Sequence, residues 1–341
     1  SPSWYRPHQE CIMRYLGEPF CAVCREGVIE TIYAMTSPFK GYEPGINTFE
    51  MSASSVIFKL DLNHPEPTSL ERIWYLNEVT IGEGVDSCNV GDHVFVMAGN
   101  GCFAEKIVVE ATRVVLIPKE MDFPVAAALP MTYGTSLYAL KQRAGLKPGQ
   151  TLLVLGAAGG VGLSAVELGK AMGAKVIAAA STQDKVDMCM AHGADEGFIY
   201  PSGNLDRDQQ KQLSNKIKEL TGGMGANVVY DPVGDSYSEP CLRATAWEGR
   251  YLVIGFAAGE IPKIPLNITL LKGCQIVGVF WGAWVGMHPD ENNKNFDDLF
   301  KLHAEGKINP EVSQKYALEN SADAFSHLAN RKAKGKVIIN M

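Results

Sequence analysis

A short glycine-rich stretch constrains the fold of this chain more than any other part of its sequence. An apolar run, Thr151–Leu155, ends at glycines, and an amphipathic segment begins directly after them. Residues 157–162 fit the pattern G-x-G-x-x-G, with Ala157 in place of the first glycine. Small residues here allow a pyrophosphate to approach the backbone at the N-terminus of the following helix. A plain strand-to-helix turn would give a similar pattern, so the flanking sequence has to decide.

The flanking sequence favours a nucleotide-binding unit. Val161, Ala165, Leu168 and Met172 recur at helical spacing, and a second apolar run, Lys175–Ala180, follows after a glycine. A strand, a glycine turn, a helix and a second strand in this order predict a βαβ unit that binds a dinucleotide.

Strands and helices alternate along the rest of the C-terminal half. The apolar runs at 198–200, 228–230 and 251–254 predict strands with helices between them, and therefore a doubly wound α/β domain with a parallel sheet. Residues 125–140 are interpreted as a helix, a break and a second helix. Short β-like runs between 79 and 117, including Phe103–Val109, predict a compact β-rich domain before them.

Composition excludes several classes of protein. The chain has 341 residues, enough for two domains, with 46% hydrophobic and 20% charged residues. A net charge of −7 argues against nucleic acid as the main partner, and no apolar stretch is long enough to span a membrane. Eight scattered cysteines favour a reducing compartment. Residues 1–10 resemble neither a secretory signal nor a transit peptide. Because the sequence starts at Ser1, a preceding leader is not excluded, and we expect either the cytoplasm or the mitochondrial matrix.

The end of the second strand indicates which dinucleotide is bound. An NAD site usually has an acidic residue here that binds the ribose hydroxyls. In this chain the strand ends without a carboxylate, and the first acidic residue is Asp184. Ser181, Lys185 and Tyr200 instead offer a hydroxyl, a cation and a phenol, which suit a 2′-phosphate. The sequence therefore favours NADPH, although most surface lysines have no such role.

From about residue 81 to the C-terminus, the sequence resembles the zinc-independent quinone oxidoreductases of the medium-chain dehydrogenase/reductase superfamily. The resemblance lies in the order and spacing of many short motifs. These are Gly82-Glu-Gly-Val-Asp86, Val90-Gly-Asp-His-Val94, Leu129-Pro-Met-Thr-Tyr-Gly-Thr135, Ala144-Gly-Leu-Lys-Pro-Gly149, Gly156-Ala-Ala-Gly-Gly-Val-Gly162, Gly193-Ala-Asp195, Asp231-Pro-Val-Gly234, Ala246-Trp-Glu-Gly-Arg250, Ile254-Gly-Phe-Ala257, Val279-Phe-Trp-Gly282 and Lys334-Gly-Lys336.

The resemblance implies a fold and a set of binding residues. It implies a GroES-like β-rich catalytic domain (1–121), a Rossmann domain that binds NADPH (122–285) and a C-terminal segment that returns to the catalytic domain (286–341). Homodimers are usual in the family. The implied cofactor-binding residues are Thr132, Ala157, Ala158, Gly159, Gly160, Val161, Gly162, Ser181, Lys185, Tyr200, Gly255, Phe256, Ala257, Phe280, Trp281 and Arg331. Packing in the core or in a dimer interface is an equally good interpretation of the aromatic residues Phe280 and Trp281.

A catalytic zinc ion is not expected. Zinc-dependent relatives have a catalytic cysteine and a His-Glu pair early in the chain, and neither Cys88 nor Cys102 lies in such an arrangement. The pair Cys21 and Cys24 has no second pair at zinc-finger distance, so chance spacing explains it best. The resemblance then implies hydride transfer to a quinone or an α,β-unsaturated carbonyl, with a proton taken from solvent.

Residues 1–78 do not match the family. The active-site segments expected before Val79 are absent, so no catalytic acid can be named. This region is either genuinely divergent, or it comes from a mistranslated exon or a frame-shifted gene model. Two functions follow as alternatives: an NADPH-dependent quinone or enone reductase, and an NADPH-binding protein with little turnover and a regulatory, structural or RNA-binding role.

Overall fold

The chain divides into two compact units, residues 1–73 and 74–341. In the first unit, strand β1 (Phe39–Glu43) pairs antiparallel with β2 (Lys59–Leu62). The computed structural model describes residues 39–43, 59–62, 73–76, 79–82, 88, 91–99, 101–104, 106–110, 113–330 and 333–341.

A six-stranded parallel sheet organises the second unit. Its strands are β7 (Thr151–Val154), β8 (Lys175–Ala180), β9 (Glu196–Ile199), β10 (Ala226–Asp231), β11 (Thr245–Val253) and β12 (Gln275–Gly278). Their order across the sheet is β12-β11-β10-β7-β8-β9, and every neighbouring pair is parallel. This is the doubly wound order, so the predicted α/β fold with a parallel sheet is confirmed.

Helices pack on both faces of this sheet. The helices of the second unit are α1 (Phe123–Leu129), α2 (Thr135–Leu137), α3 (Gly160–Ala171), α4 (Gln183–Ala191), α5 (Arg207–Leu220), α6 (Ser238–Arg243), α7 (Asn267–Lys272), α8 (Trp281–Met287), α9 (Pro289–Ala304) and α10 (Ser321–Ala329). Side chains of β7, and of Leu155 directly after it, alternate between the two layers: Leu152 and Val154 pack in one core, and Leu153 and Leu155 in the other. Central strands buried on both faces explain the continuous apolar runs in the sequence.

Smaller sheets complete the described structure. Strands β3 (Ile73–Leu76) and β4 (Val79–Gly82) form one pair, and β5 (Val94–Val96) and β6 (Val114–Leu116) form an antiparallel pair. Near the C-terminus, β13 (Val312–Ala317) pairs parallel with β14 (Lys336–Asn340). The division into domains 1–121, 122–285 and 286–341 stays a prediction. Among the described residues, no helix is both long and apolar enough to cross a membrane.

Two local predictions were wrong. The helix beginning at Phe123 has no break: it continues through a wide π-helical turn (Pro130–Gly134), α2 and a second wide turn to Arg143. A widened turn relieves the clash that Pro130 would cause inside a regular helix. The described residues of 103–110 form no strand, because alternating apolar residues alone do not provide a hydrogen-bonded neighbour.

Candidate dinucleotide-binding site

A tight turn after β7 brings the backbone of the glycine-rich stretch close to helix α3. Gly156 adopts a left-handed conformation (φ +56°), and the amide of Gly159 donates to its carbonyl oxygen at 2.9 Å. A Cβ on Gly162 would lie 2.3 Å from that same oxygen. The turn therefore excludes side chains at Gly156 and Gly162 for steric reasons.

Helix α3 begins at this turn. Its N-cap residue is Gly159, which has no side chain to cap the first amide groups. The N-terminus of a helix carries unsatisfied amide donors and a partial positive charge, so it attracts phosphate. The start of α3 can therefore bind an anion through the backbone alone.

The C-terminal segment closes one side of the turn. The amide of Gly335 donates to the carbonyl oxygen of Ala158 at 3.1 Å, and Gly335 forms a parallel bridge with Gly159. Gly335 itself is left-handed (φ +65°), and a Cβ there would lie 2.5 Å from the carbonyl oxygen of Glu311. Direct backbone hydrogen bonds thus hold the tail against the glycine turn.

A second loop, after β10, is fixed by a buried carboxylate. Asp231 is 2% exposed, and its Oδ1 accepts hydrogen bonds from the amides of Val233 (2.8 Å) and Gly234 (2.9 Å). Its Oδ2 accepts from the hydroxyl groups of Ser238 (2.9 Å) and Tyr251. Burial and the neighbouring Asp231 carboxylate raise the pKa of Tyr251, so its phenol keeps the proton that it donates. Asp231 therefore sets the shape of the loop beyond β10.

The two loops border a cleft of about 750 Å³ outside the carboxyl ends of β7 and β10. β7 and β10 are neighbours in the sheet although they are far apart in the sequence. The cleft therefore lies at the switch point, where the strand order reverses and where doubly wound sheets bind ligands. Its lining residues are Gly156, Ala158, Gly159, Gly160, Ala180, Ser181, Lys185, Tyr200, Ser202, Gly203, Asn204, Val233, Asp235, Tyr237, Ala257, Ala258, Leu328, Ala329, Ala333 and Gly335.

One end of the cleft carries polar side chains at the start of α4. The Lys185 ammonium donates to the Ser181 hydroxyl at 3.4 Å, and both residues line the cleft with Tyr200. Burial raises the pKa of Tyr200, so its phenol is neutral. Outside the cleft lining, Asp184 forms an ion pair of 2.6 Å with Lys334. A cation and a hydroxyl thus meet at this end, whereas the Tyr200 ring packs against Tyr237 with 5.1 Å between ring centroids.

Comparisons with known proteins identify the family. The model of the zinc-binding dehydrogenase family matches residues 160–301. The quinone oxidoreductase-like protein 2 homolog of Nematostella vectensis is 39% identical over 265 residues, 77% of this chain and 70% of that protein. The quinone oxidoreductase of Pseudomonas aeruginosa is 33% identical over 261 residues, 76% of this chain and 78% of that protein. The chain belongs to the quinone oxidoreductases of the medium-chain dehydrogenase/reductase superfamily.

Solved structures of this quinone oxidoreductase family superpose on the chain. The Escherichia coli quinone oxidoreductase, solved in complex with NADPH, gives a TM-score of 0.69 at 28% identity and covers 76% of this chain and 79% of its own. A mycobacterial protein solved with NADPH gives a TM-score of 0.71 at 28% identity, covering 77% and 79%. The chain is thus an oxidoreductase by family, in agreement with the resemblance seen in the sequence.

Seven of the predicted cofactor-binding residues line the cleft of this chain. Lining residues from that set are Ala158, Gly159, Gly160, Ser181, Lys185, Tyr200 and Ala257. Predicted residues that lie outside the lining are Thr132, Ala157, Val161, Gly162, Gly255, Phe256, Phe280 and Trp281. Arg331 and the pair Cys21 and Cys24 lie outside the described residues. Among the described residues, no group of three His, Cys, Asp or Glu side chains could hold a metal ion.

Two residues of the second group, Thr132 and Trp281, are buried at the wide turn Pro130–Gly134. Thr132 is buried and donates to the carbonyl oxygen of Ala128 at 2.7 Å. Its methyl group would lie 3.0 Å from a Cβ on Gly160, so it packs against the first turn of α3. The Trp281 ring lies against Gly134, and its indole N–H donates to Asn292 at 3.1 Å. Trp281 therefore packs in the core, whereas Phe280 is 76% exposed.

A buried polar network ties α3 to the tail below the cleft. Glu167, 4% exposed, accepts hydrogen bonds from the Tyr133 hydroxyl (2.6 Å) and the Asn309 amide (3.0 Å). Its other oxygen lies 2.6 Å from Nδ1 of His192, whose Nε2 lies 3.8 Å from Glu311. The hydrogen bond to Glu167 raises the pKa of His192, and burial raises that of Tyr133. The network fixes the helix whose first turn borders the cleft.

Sequence reasoning missed one wall of the cleft. The sequence analysis assigned the first glycine position of the pattern G-x-G-x-x-G to Ala157, whereas the residue with left-handed backbone is Gly156. It also gave no role to Val233 and Asp235 or to the tail residues Ala333 and Gly335, all of which line the cleft. The motif Asp231-Pro-Val-Gly234 after a strand was the available signal, because parallel strands end at the same edge of a sheet.

Proposed function

We propose that the protein is an NADPH-dependent oxidoreductase that transfers a hydride to a quinone or an α,β-unsaturated carbonyl compound. One observation carries the proposal. The cleft at the switch point is lined by Ser181 and Lys185, which directly follow strand β8, and this strand ends without a carboxylate. The NADPH complexes of two relatives support the same cofactor.

The residues of the cleft fit this cofactor. A volume of about 750 Å³ suits a large ligand. The pyrophosphate would meet the backbone of Gly159 and Gly160 at the start of α3, where a side chain would fill the available space. The 2′-phosphate would meet the Lys185 ammonium and the Ser181 hydroxyl. Tyr200 would contribute a neutral ring to the same cleft.

The chemistry divides between the cofactor and the chain. Bound NADPH would supply two electrons and one proton as a hydride. The acceptor then carries a negative charge as an enolate or a hydroquinone anion, and a proton from solvent completes its reduction. The chain's part is to hold the dinucleotide at the first turn of α3, against which the buried Thr132 packs.

The first experiment measures binding and turnover separately. Purified protein is titrated with NADPH, and loss of absorbance at the reduced-nicotinamide band is then followed with a panel of quinones and enones. We expect saturable binding and oxidation by at least one acceptor. Tight binding with no oxidation by any acceptor would reject the reductase and leave the alternative, an NADPH-binding protein without turnover.

The second experiment tests the phosphate site. Lys185→Glu places a negative charge where the 2′-phosphate is expected, so the NADPH dissociation constant should rise about tenfold or more while that of NADH stays nearly constant. Lys216→Glu is the matched control, because Lys216 is an exposed helical lysine outside the cleft lining. An unchanged preference in the Lys185 variant would refute the assignment of the phosphate site.

We expect the reaction to proceed without zinc, since the sequence lacks the cysteine and His-Glu pair of the zinc-dependent relatives. Dialysis against a strong chelator, followed by metal analysis, should leave turnover unchanged. Recovery of activity only after zinc is added would contradict this expectation.

The open edge of the sheet supports a homodimer. Strand β12 is the last strand of the sheet, and the neighbouring helix α7 exposes Leu270 (80%) and Leu271. Edge strands with exposed apolar neighbours pair readily with another chain, and most soluble oligomers are symmetric dimers. Light scattering should therefore give a dimer for the native chain and a monomer for a Leu270→Asp, Leu271→Asp variant. A native monomer at all concentrations would exclude the dimer.

A further inference from the structure

The carboxylate of Asp184 lies next to the place proposed for the 2′-phosphate of the cofactor. It belongs to the first turn of α4, directly before Lys185, which lines the cleft. A free carboxylate beside a 2′-phosphate would repel it, and this is how acidic residues favour NADH over NADPH. Asp184 is not free in this structure.

Lys334 neutralises the Asp184 carboxylate. Its ammonium lies 2.6 Å from Oδ2 of Asp184, and the hydroxyl of Thr182 donates to Oδ1. The hydrogen bond from Lys334, with a further one from Thr182, lowers the pKa of Asp184 to about 2. Asp184 is therefore ionised at neutral pH, and its charge is compensated by a lysine from a distant part of the chain.

The tail holds Lys334 in place. Its two neighbours, Ala333 and Gly335, both line the cleft. The amide of Gly335 is hydrogen-bonded to Ala158, and the amide of Lys336 donates to the carbonyl oxygen of Glu311 at 2.8 Å. The backbone on the C-terminal side of Lys334 is thus fixed, which limits the positions open to its ammonium.

The charge balance at this end of the cleft depends on Lys334. Three described charged groups lie together at the start of α4: the ammonium groups of Lys185 and Lys334, and the carboxylate of Asp184. Two positive charges and one negative charge give a local sum of +1. Without Lys334 the sum falls to zero, which is less favourable for a ligand that brings a phosphate dianion.

We propose that Lys334 is a specificity-determining residue, which permits a 2′-phosphate at Ser181 and Lys185 by neutralising Asp184 from the tail. The inference rests on the proposed function, in which NADPH occupies the cleft. It predicts that Lys334 governs the preference for NADPH over NADH rather than the binding of both. Its partner Asp184 is the residue through which it acts.

The experiment is a double-mutant cycle on binding. Dissociation constants for NADPH and NADH are measured by nicotinamide fluorescence for the native chain, Lys334→Met, Asp184→Asn and the double variant. Methionine keeps the apolar stem of the lysine and removes only the charge. Lys334→Met should weaken NADPH binding about fivefold to tenfold and change NADH binding less than about twofold.

The double variant tests the mechanism. Removing Asp184 removes the charge that Lys334 neutralises, so the double variant should regain NADPH affinity to within about twofold of the native chain. Lys334→Arg should keep the native preference, since it keeps the charge. Thermal midpoints of all variants confirm that each is folded.

Each other outcome overturns a specific claim. Equal weakening of NADPH and NADH by Lys334→Met would mean that Lys334 only supports the tail. A double variant that stays weak would mean that Lys334 meets the phosphate directly, without acting through Asp184. A native chain that prefers NADH, or binds neither cofactor, would overturn the proposed function itself, whatever the variants do.

Discussion

The two ends of the cleft are built in opposite ways. At the glycine turn, Gly156 and Gly162 approach so closely that no side chain fits, and backbone amides are the donors. At the start of α4, exposed side chains and an ion pair between Asp184 and Lys334 define the site. The first end depends on shape and would bind the part that all dinucleotides share. The second depends on charge and would distinguish a 2′-phosphate from a hydroxyl.

The largest effect should come from the glycine turn. Gly162→Val would place a Cβ 2.3 Å from the carbonyl oxygen of Gly156, and the backbone cannot yield as a flexible side chain would. We expect NADPH and NADH binding to weaken together by about a hundredfold. Fluorescence titration measures both constants. Gly286→Ala, on helix α8 with open space around it, is the control and should bind normally. Loss of NADPH binding alone would contradict the comparison.

The next prediction concerns the stability of the protein and the carboxylate that fixes the loop beyond β10. Asp231→Ala leaves the amides of Val233 and Gly234 and the hydroxyls of Ser238 and Tyr251 without their acceptor. Because the site is buried, the free energy of unfolding should fall by about 3 kcal/mol.

Urea denaturation measures the effect of the Asp231 substitution. Ser238→Ala removes a single donor and should cost about 1 kcal/mol. Both cofactors should weaken equally in the Asp231 variant, because the loop supports the shared part of the site. Stability equal to that of the native chain would show that Asp231 does not hold the loop.

His192 should make a smaller contribution, which depends on pH, to the stability of the folded state. Its pKa is raised by the hydrogen bond to Glu167, so the charged imidazole stabilises the folded state. This contribution is complete below the ordinary imidazole pKa of about 6.5 and is lost as the pH rises through the raised value. The thermal midpoints of the native chain and His192→Gln should therefore converge with rising pH. Divergence of the two midpoints with rising pH would reverse the assigned sign.

The smallest effect should come from salt. Side chains at the exposed end interact through solvent, and the Debye length falls to about 3 Å at 1 M salt. The preference for NADPH over NADH should therefore shrink severalfold between low and high salt, while NADH binding changes little. Equal salt dependence of the two cofactors would mean that charge does not separate the two ends.

The sequence by itself determined the central layer of the fold. Apolar runs such as Lys175–Ala180 predicted buried parallel strands correctly, because burial on both faces requires continuous apolar residues. The glycine turn was recognised from Gly159 and Gly162, since only small residues allow that approach. The family followed from the order of short motifs, and the comparisons confirm it. Burial and tight turns restrict the types of residues that are close together in the sequence, so a local pattern can reveal them.

Only the tertiary structure decided which distant residues meet. Lys334 lies 150 positions from Asp184 in the chain, and no local pattern pairs them. Trp281 could equally have bordered the cofactor or filled the core, and its position against Gly134 placed it in the core. Such contacts depend on how the tail and the helices pack on the sheet. Spacing in a sequence records what lies along one element, whereas a site at a switch point is assembled from several.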